Sequence, residues 1–208
     1  MNKNIINKID KDNMSDVIID FYKHIEHSFD IIKSSSIDCD IKVNSIVICG
    51  MGGSAIGGDF VKTVLYKKIN IPIIVNRDYS LPKWVNKNTL IILCSYSGNT
   101  EETISCLHES EKLKINPMII TSGGTLLNRA IKKGYSYVQV PSGIQPRAAF
   151  GYSSSLLLLL LNEINIAENS IIDNLYSSID EIKKLSVIYS NINDNNAIEL
   201  ASKIYNKF

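Results

Sequence analysis

A chain of 208 residues, 45% of them apolar and 21% charged, has room for one complete α/β domain with a full core and a remainder too short for a second. Its formal net charge of +1 gives no electrostatic reason to expect nucleic acid or a membrane as partner, and no helix-turn-helix or basic stripe is present.

In chain order, Ile18, Phe21, Tyr22, Ile25, Phe29 and Ile32 recur at spacings of three and four, which predicts one amphipathic helix ending near Ser34. From Ile46 the texture changes to short continuous apolar runs: Ile46–Cys49, Ile71–Val75, Leu90–Cys94, Met118–Thr121 and Tyr135–Val140. Helical patterns lie between them at 54–68, 99–113 and 124–133. Alternating buried strands and helices predict a five-stranded parallel sheet covered on both faces, doubly wound in the flavodoxin-like order 2-1-3-4-5. The interval 75–90, with Asp78, Pro82 and Trp84, reads as a loop rather than a helix. After Pro146 a helix is expected through Leu161, then one at 168–190 with Ile172, Leu175, Ile179, Ile182 and Tyr189 on one stripe, then Ala197–Tyr205. The run Leu156–Leu161 is the most hydrophobic stretch, yet with its flanks it falls short of the roughly 18–20 apolar residues that span a bilayer, so a buried helix is expected.

Cys39, Cys49, Cys94 and Cys106 show no CxxC spacing, and Cys49 and Cys94 each close a buried run. Reduced thiols are expected; Met1–Asp16 has no signal-like apolar stretch, and the expected location is cytoplasmic. His24 and His27 stand three apart on the first helix with no ligand pattern around them, so they read as surface histidines and no metal is expected. His108 lies inside the helix after the third strand, facing away from its mouth.

In an open parallel sheet, ligands sit beyond the carboxyl ends of the strands where the winding reverses, here between strands 1 and 3. Two loops fall there. Gly50-Met51-Gly52-Gly53-Ser54 lets backbone N–H groups approach an anion, with Ser54 opening the next helix. Ser95-Tyr96-Ser97-Gly98-Asn99-Thr100 delivers three hydroxyls at a second helix start. Together they predict a phosphate cradle without lysine. Thr121-Ser122-Gly123-Gly124-Thr125 either lines the same crevice or is a plain turn. Pro146-Arg147-Ala148-Ala149 opens the helix after strand 5, where Arg147 either stabilises an oxyanion or is a surface arginine. Glu101 and Glu102 favour a helix dipole and are poor phosphate ligands. Gly50-x-Gly52-x-x-Ala55 also fits a dinucleotide fingerprint, but strand 2 is followed by Asn76 and Arg77 rather than the acidic residue that reading needs.

Gly50-Met51-Gly52-Gly53-Ser54-Ala55-Ile56-Gly57-Gly58-Asp59, Ser95-Tyr96-Ser97-Gly98-Asn99-Thr100-Glu101-Glu102-Thr103 and Pro146-Arg147-Ala148-Ala149-Phe150-Gly151-Tyr152, in this order, resemble the bifunctional phosphoglucose/phosphomannose isomerases, whose two domains have the sugar isomerase (SIS) fold. The resemblance implies that Gly53, Ser54, Ser95, Ser97 and Thr100 bind a hexose 6-phosphate, chiefly its phosphate, and that Arg147 stabilises a cis-enediolate. The implied reaction moves a proton between C2 and C1, giving fructose 6-phosphate from the glucose or mannose ester, with no cofactor and no metal. It also implies a homodimer. The family's base, in an Asn-Glu-Asn stretch, and its Asn-His-Asn histidine belong to the second domain, and neither stretch occurs in this sequence. Asn195–Ala201 resembles the helix that introduces that domain. The expected division is therefore 1–154 for the first SIS domain and 155–208 for a helical connection and the start of an incomplete second one, with the chain inactive alone. The other reading the resemblance leaves is a non-catalytic SIS module that senses a phosphosugar.

Overall fold

The computed structural model describes residues 8–191, 195–205 and 207. Five parallel strands form one sheet: β1 (Ser45–Cys49), β2 (Ile73–Asn76), β3 (Thr89–Ser95), β4 (Met118–Thr121) and β5 (Tyr137–Gln139). Their order is β2-β1-β3-β4-β5, as the alternating runs predict. Side chains along each strand point alternately to two cores. Ile46, Ile48, Leu90, Ile92, Met118 and Ile120 pack on one face with Val61, Leu65 and Leu156–Leu161. Val47, Cys49, Ile91, Leu93 and Ile119 pack on the other with Cys106, Leu107, Leu126 and Ala130. Both faces are covered, which is why the strands read as continuous apolar runs rather than as alternation.

The helices that close the first face are α2 (Phe21–Ser34), α3 (Gly52–Leu65) and α6 (Phe150–Glu163); α4 (Glu101–Lys112) and α5 (Gly124–Lys133) close the second. The winding thus changes face between β1 and β3. No helix joins β2 to β3: as expected, residues 77–88 form a loop, which covers the second face with Leu81 and Val85. The polyleucine run is buried in the sheet core, and α6 carries it across residues 154 and 155 without a break. Among the described residues no helix is long and apolar enough to cross a membrane. All four cysteines are free, with Cys39 half-buried and the other three buried.

Several boundaries differ from the sequence reading. The first amphipathic segment is two helices, α1 (Met14–Ile19) and α2, separated at Asp20, whose φ of −85° and ψ of 12° end the ladder. The Asp10 carboxylate accepts from the Met14 and Ser15 amides (2.8 and 2.7 Å) and so starts α1. His24 is not a surface histidine: it is 6% exposed, stacked on Tyr152 with ring centres 4.6 Å apart. His27 is exposed as expected, with Nδ1 3.0 Å from the Tyr152 hydroxyl. The strand expected over Tyr135–Val140 shortens to Tyr137–Gln139, because Tyr135 turns its hydroxyl to Glu111 (3.1 Å). Glu111 also takes a two-pronged bond from Arg129 (2.7 and 2.6 Å), which holds its carboxyl down at about 2 and ties α4 to α5.

The tail is helical. A helix of 22 residues, α7 (Asn169–Ser190), precedes α8 (Asn196–Ile204), whose N-terminus is capped by the Asn195 side chain accepting from the Ile198 amide (2.9 Å).

Candidate functional site

The two loops expected to form a site emerge at the carboxyl ends of β1 and β3, and the loop at 121–125 follows β4, the next strand in the sheet. Helix α3 starts at Gly52, two residues earlier than expected, so Ser54 lies in its first turn and does not open it. Met51 provides no side-chain cap; the Ser54 amide donates back to the Met51 carbonyl (3.1 Å), which leaves the Gly52 and Gly53 amides as the first-turn donors with no intrahelical acceptor. Helix α4 likewise has no side-chain cap. Thr100 occupies its cap position, but the Thr100 hydroxyl is 2.7 Å from that of Ser95 and does not cap the helix. Two positive helix ends therefore border the crevice with open donors.

The serine loop is built around its own hydrogen bonds. Ser95 is buried, and its hydroxyl accepts from the Gly98 amide (3.1 Å) while pairing with Thr100. It braces the turn and orients the half-buried Thr100 hydroxyl. Ser97 is exposed, its hydroxyl accepting from the Asn99 amide (3.2 Å) with its own proton uncommitted. Of the expected hydroxyl donors, Ser97, Thr100 and the half-buried Ser54 can reach a ligand from the mouth, whereas Ser95 contributes through Thr100.

The loop after β4 has a definite role, which the sequence left open between lining and turn. It is the serine loop's scaffold. The Ser122 amide and hydroxyl both donate to the Tyr96 carbonyl (3.0 and 2.6 Å), and the Leu126 amide donates to that of Gly98 (3.1 Å). The Thr125 amide and hydroxyl donate to Asn99 Oδ1 (3.0 and 2.9 Å). Gly98 (φ 68°) and Gly124 (φ 70°) sit where the two loops touch. A Cβ on Gly98 would overlap the Gly123 carbonyl, and one on Gly124 the Ser97 carbonyl, so neither position admits a side chain.

Arg147 is in a turn over 146–149, ahead of α6 rather than inside it. A Cβ on Gly53 would stand 2.8 Å from the Pro146 carbonyl oxygen and 3.8 Å from the Arg147 Cα, so glycine here lets the arginine turn lie directly on the glycine loop. Arg147 is exposed, and among the described residues it takes part in no ion pair. The geometry joins the arginine turn to the glycine loop and leaves its guanidinium available to an anion. A small cavity of about 20 Å³ beneath is lined by Gly53, Ser54, Tyr96, Pro146 and Tyr152. Tyr96 and Tyr152 escaped the sequence reading; their only signal was a place inside the matching motifs.

Other groups are committed elsewhere. At the end of β2, where a dinucleotide site needs a carboxylate, Asn76 donates its amide to the Ser80 carbonyl (3.0 Å) and to Cys106 Sγ (3.4 Å). Glu101 is exposed and accepts from the Tyr79 hydroxyl (3.4 Å). His108 is exposed on α4. Among the described residues no group of three or more His, Cys, Asp or Glu is placed to hold a metal.

No family model matches the chain. Curated proteins do: it is 40% identical over 156 residues to a bifunctional phosphoglucose/phosphomannose isomerase of Caldicellulosiruptor bescii (74% of this chain, 46% of that protein). A protein of the same name from Aquifex aeolicus is 39% identical over 162 residues, covering 75% of this chain and 51% of its own length. The chain is a sequence relative of the bifunctional phosphoglucose/phosphomannose isomerases. It spans about half the length of these relatives. A D-glucosamine-6-phosphate 4-epimerase of Sulfolobus acidocaldarius is 30% identical over 150 residues, covering 70% of this chain and 47% of that one. Among solved structures, Escherichia coli tagatose-6-phosphate ketose/aldose isomerase aligns at a TM-score of 0.60 and 16% identity, covering 86% of this chain and 51% of that one. The C-terminal domain of Francisella tularensis glucosamine-fructose-6-phosphate aminotransferase aligns at 0.59 and 17%, covering 92% and 57%. The fold is SIS.

Proposed function

We propose that this chain carries the phosphate-binding half of an aldose–ketose isomerase site that interconverts glucose 6-phosphate or mannose 6-phosphate with fructose 6-phosphate through a cis-enediolate. The observation that carries the reading is the meeting of three loops at the carboxyl end of the sheet: two open helix starts with the Ser97 and Thr100 hydroxyls, and the turn of Arg147, which among the described residues makes no ion pair, resting on Gly53. The relatives' names support the division of labour. Isomerases and a 4-epimerase differ in chemistry but share phosphorylated hexoses, so what they have in common with this chain is a seat for a sugar phosphate.

In this reading the phosphate is held by the first-turn amides of α3 and α4 and by hydroxyls from Ser54, Ser97 and Thr100, with Ser95 fixing Thr100 and Gly53 admitting the arginine turn. Arg147 faces the negative charge that develops on the C1 and C2 oxygens once the C2 proton leaves. The proton needs a base, and the 208-residue sequence contains neither Asn-Glu-Asn nor Asn-His-Asn. We therefore expect this chain to bind substrate without turning it over, the base coming from a further domain. Moving a proton needs no metal or redox cofactor. A reducing cytoplasm suits the three buried free thiols, and we expect a homodimer as the working assembly.

Calorimetric titration of the 208-residue chain with fructose 6-phosphate, against fructose as control, tests the reading. Binding should require the phosphate, and Ser97→Ala and Thr100→Val should each weaken it by about tenfold, the scale of a hydrogen bond to a charged group. Equal binding of the two sugars would overturn it. Turnover of glucose 6-phosphate by this chain would refute the missing base, and binding by a longer gene product that cannot turn it over would favour the sensing module.

A further inference from the structure

Among the described residues Arg147 takes part in no ion pair, so the reach of its guanidinium is set by its backbone, and the Tyr96 side chain connects the segment ahead of that backbone to the serine loop. The Tyr96 carbonyl is fixed by the Ser122 amide and hydroxyl, while its ring crosses to the segment after β5. There the phenol donates to the Pro141 carbonyl (2.8 Å) and accepts from the Ile144 amide (2.9 Å). The hydroxyl thus uses its proton and a lone pair on the two ends of one bend, which passes through Gly143 at φ 89° and ends at Ile144, three residues before Arg147. The same ring lines the small cavity under Gly53 and Pro146.

We propose that Tyr96 is a positioning residue that registers the arginine turn on the phosphate loop, so that an anion seated between α3 and α4 finds Arg147 at a set distance. This rests on reading the crevice as a sugar-phosphate site. Phenylalanine would keep the ring and its packing but leave the Pro141 carbonyl and the Ile144 amide without a partner, freeing the turn while the serine loop stays braced by Ser122 and Thr125.

The test compares two probes on the 208-residue chain: inorganic phosphate, which needs only the cradle, and 5-phosphoarabinonate, whose carboxylate stands where the enediolate charge forms. Tyr96→Phe should weaken the phosphoarabinonate by about tenfold, one lost clasp, and leave inorganic phosphate within about twofold. Tyr96→Phe combined with Arg147→Gln should bind the phosphoarabinonate no more weakly than Arg147→Gln alone, since both remove the same contact. Amide exchange at Ile144 should quicken in Tyr96→Phe. Equal losses for the two probes, additive losses in the double variant, or an unchanged Ile144 amide would each overturn the proposal. If the unmodified chain binds neither probe, the sugar-phosphate reading itself falls and takes this one with it, even where Ile144 exchange responds.

Discussion

His24 is an imidazole in a core position: Nδ1 has no hydrogen-bond partner, and the ring lies between Tyr152 and the backbone of Gly151, where an added Cβ would stand 2.8 Å from His24 Cβ. Burial is the main cause that pulls its pKa below 6.5, with His27 adding to it and Asp20 opposing. In acid the unfolded chain takes up a proton that the folded His24 refuses, so stability rises with pH up to about 6.5 and declines below it. Thermal melts should therefore show a midpoint that falls as the pH drops below about 6.5, and His24→Gln should flatten that limb. An unaltered slope in the variant would show that other groups set it. Position, more than residue type, held the information. His24 lies three residues after Phe21 and next to Ile25 on a stripe that continues through Ser28, Ile31 and Ile32, all buried, yet histidine's usual exposure outweighs that spacing in a sequence reading. Ser95 was likewise legible as part of the loop after β3 but not as a brace, because its bond to the Gly98 amide and its pairing with Thr100 depend on how the turn closes.

Helices α3 and α6 follow two of the three segments of the candidate site, the glycine loop at the start of one and the arginine turn ahead of the other, and they cross through small residues. A Cβ on Gly57 would lie 2.7 Å from Ser153 Oγ and 3.1 Å from its backbone carbon, while one on Gly58 would meet only side-chain atoms of Ile48 and Val75 at 3.1 Å and beyond. Backbone cannot yield as a side chain can. Gly57→Ala should thus force the helices apart and destabilise the fold by about 1–3 kcal/mol, with Gly58→Ala costing less; urea unfolding of the two variants ranks them. Equal midpoints would mean that α6 shifts freely. Element identities were plain in the sequence, since runs such as Leu90–Cys94 are too short and too apolar for anything but a buried strand. Element ends were not. The break at Asp20, the early start at Gly52 and the shortened β5 each depend on contacts made by other segments: no residue of α1 is buried, and Tyr135 is drawn to the Glu111–Arg129 pair.

Among the described residues, an apolar surface stays open where the N-terminal helices meet α7. Ile18, Ile19 and Phe21 with Ile182, Leu185 and Tyr189 line a groove of about 460 Å³, and Leu185 (41%), Val187 (69%) and Ile188 (55%) stay exposed along α7. Contiguous apolar surface of this kind marks an association site. Sedimentation of the chain should show concentration-dependent dimers that Val187→Glu together with Ile188→Lys dissolves; a monomer at every concentration would count against it. The doubly wound order was legible because strand and helix alternate and parallel crossovers have one hand. The site's assembly was legible only in outline, since neither the Tyr96 clasp nor the scaffold role of Thr121–Thr125 leaves a periodic trace. The close approaches at Gly53, Gly98 and Gly124 also bear on how this crevice could be altered by laboratory evolution. Where main chain meets main chain, the shape of the anion seat is independent of how neighbouring side chains repack. If the crevice seats a sugar phosphate as proposed, libraries at Ser54, Ser97 and Thr100 explore new sugars on an intact frame, while any library that opens the three glycines discards that frame.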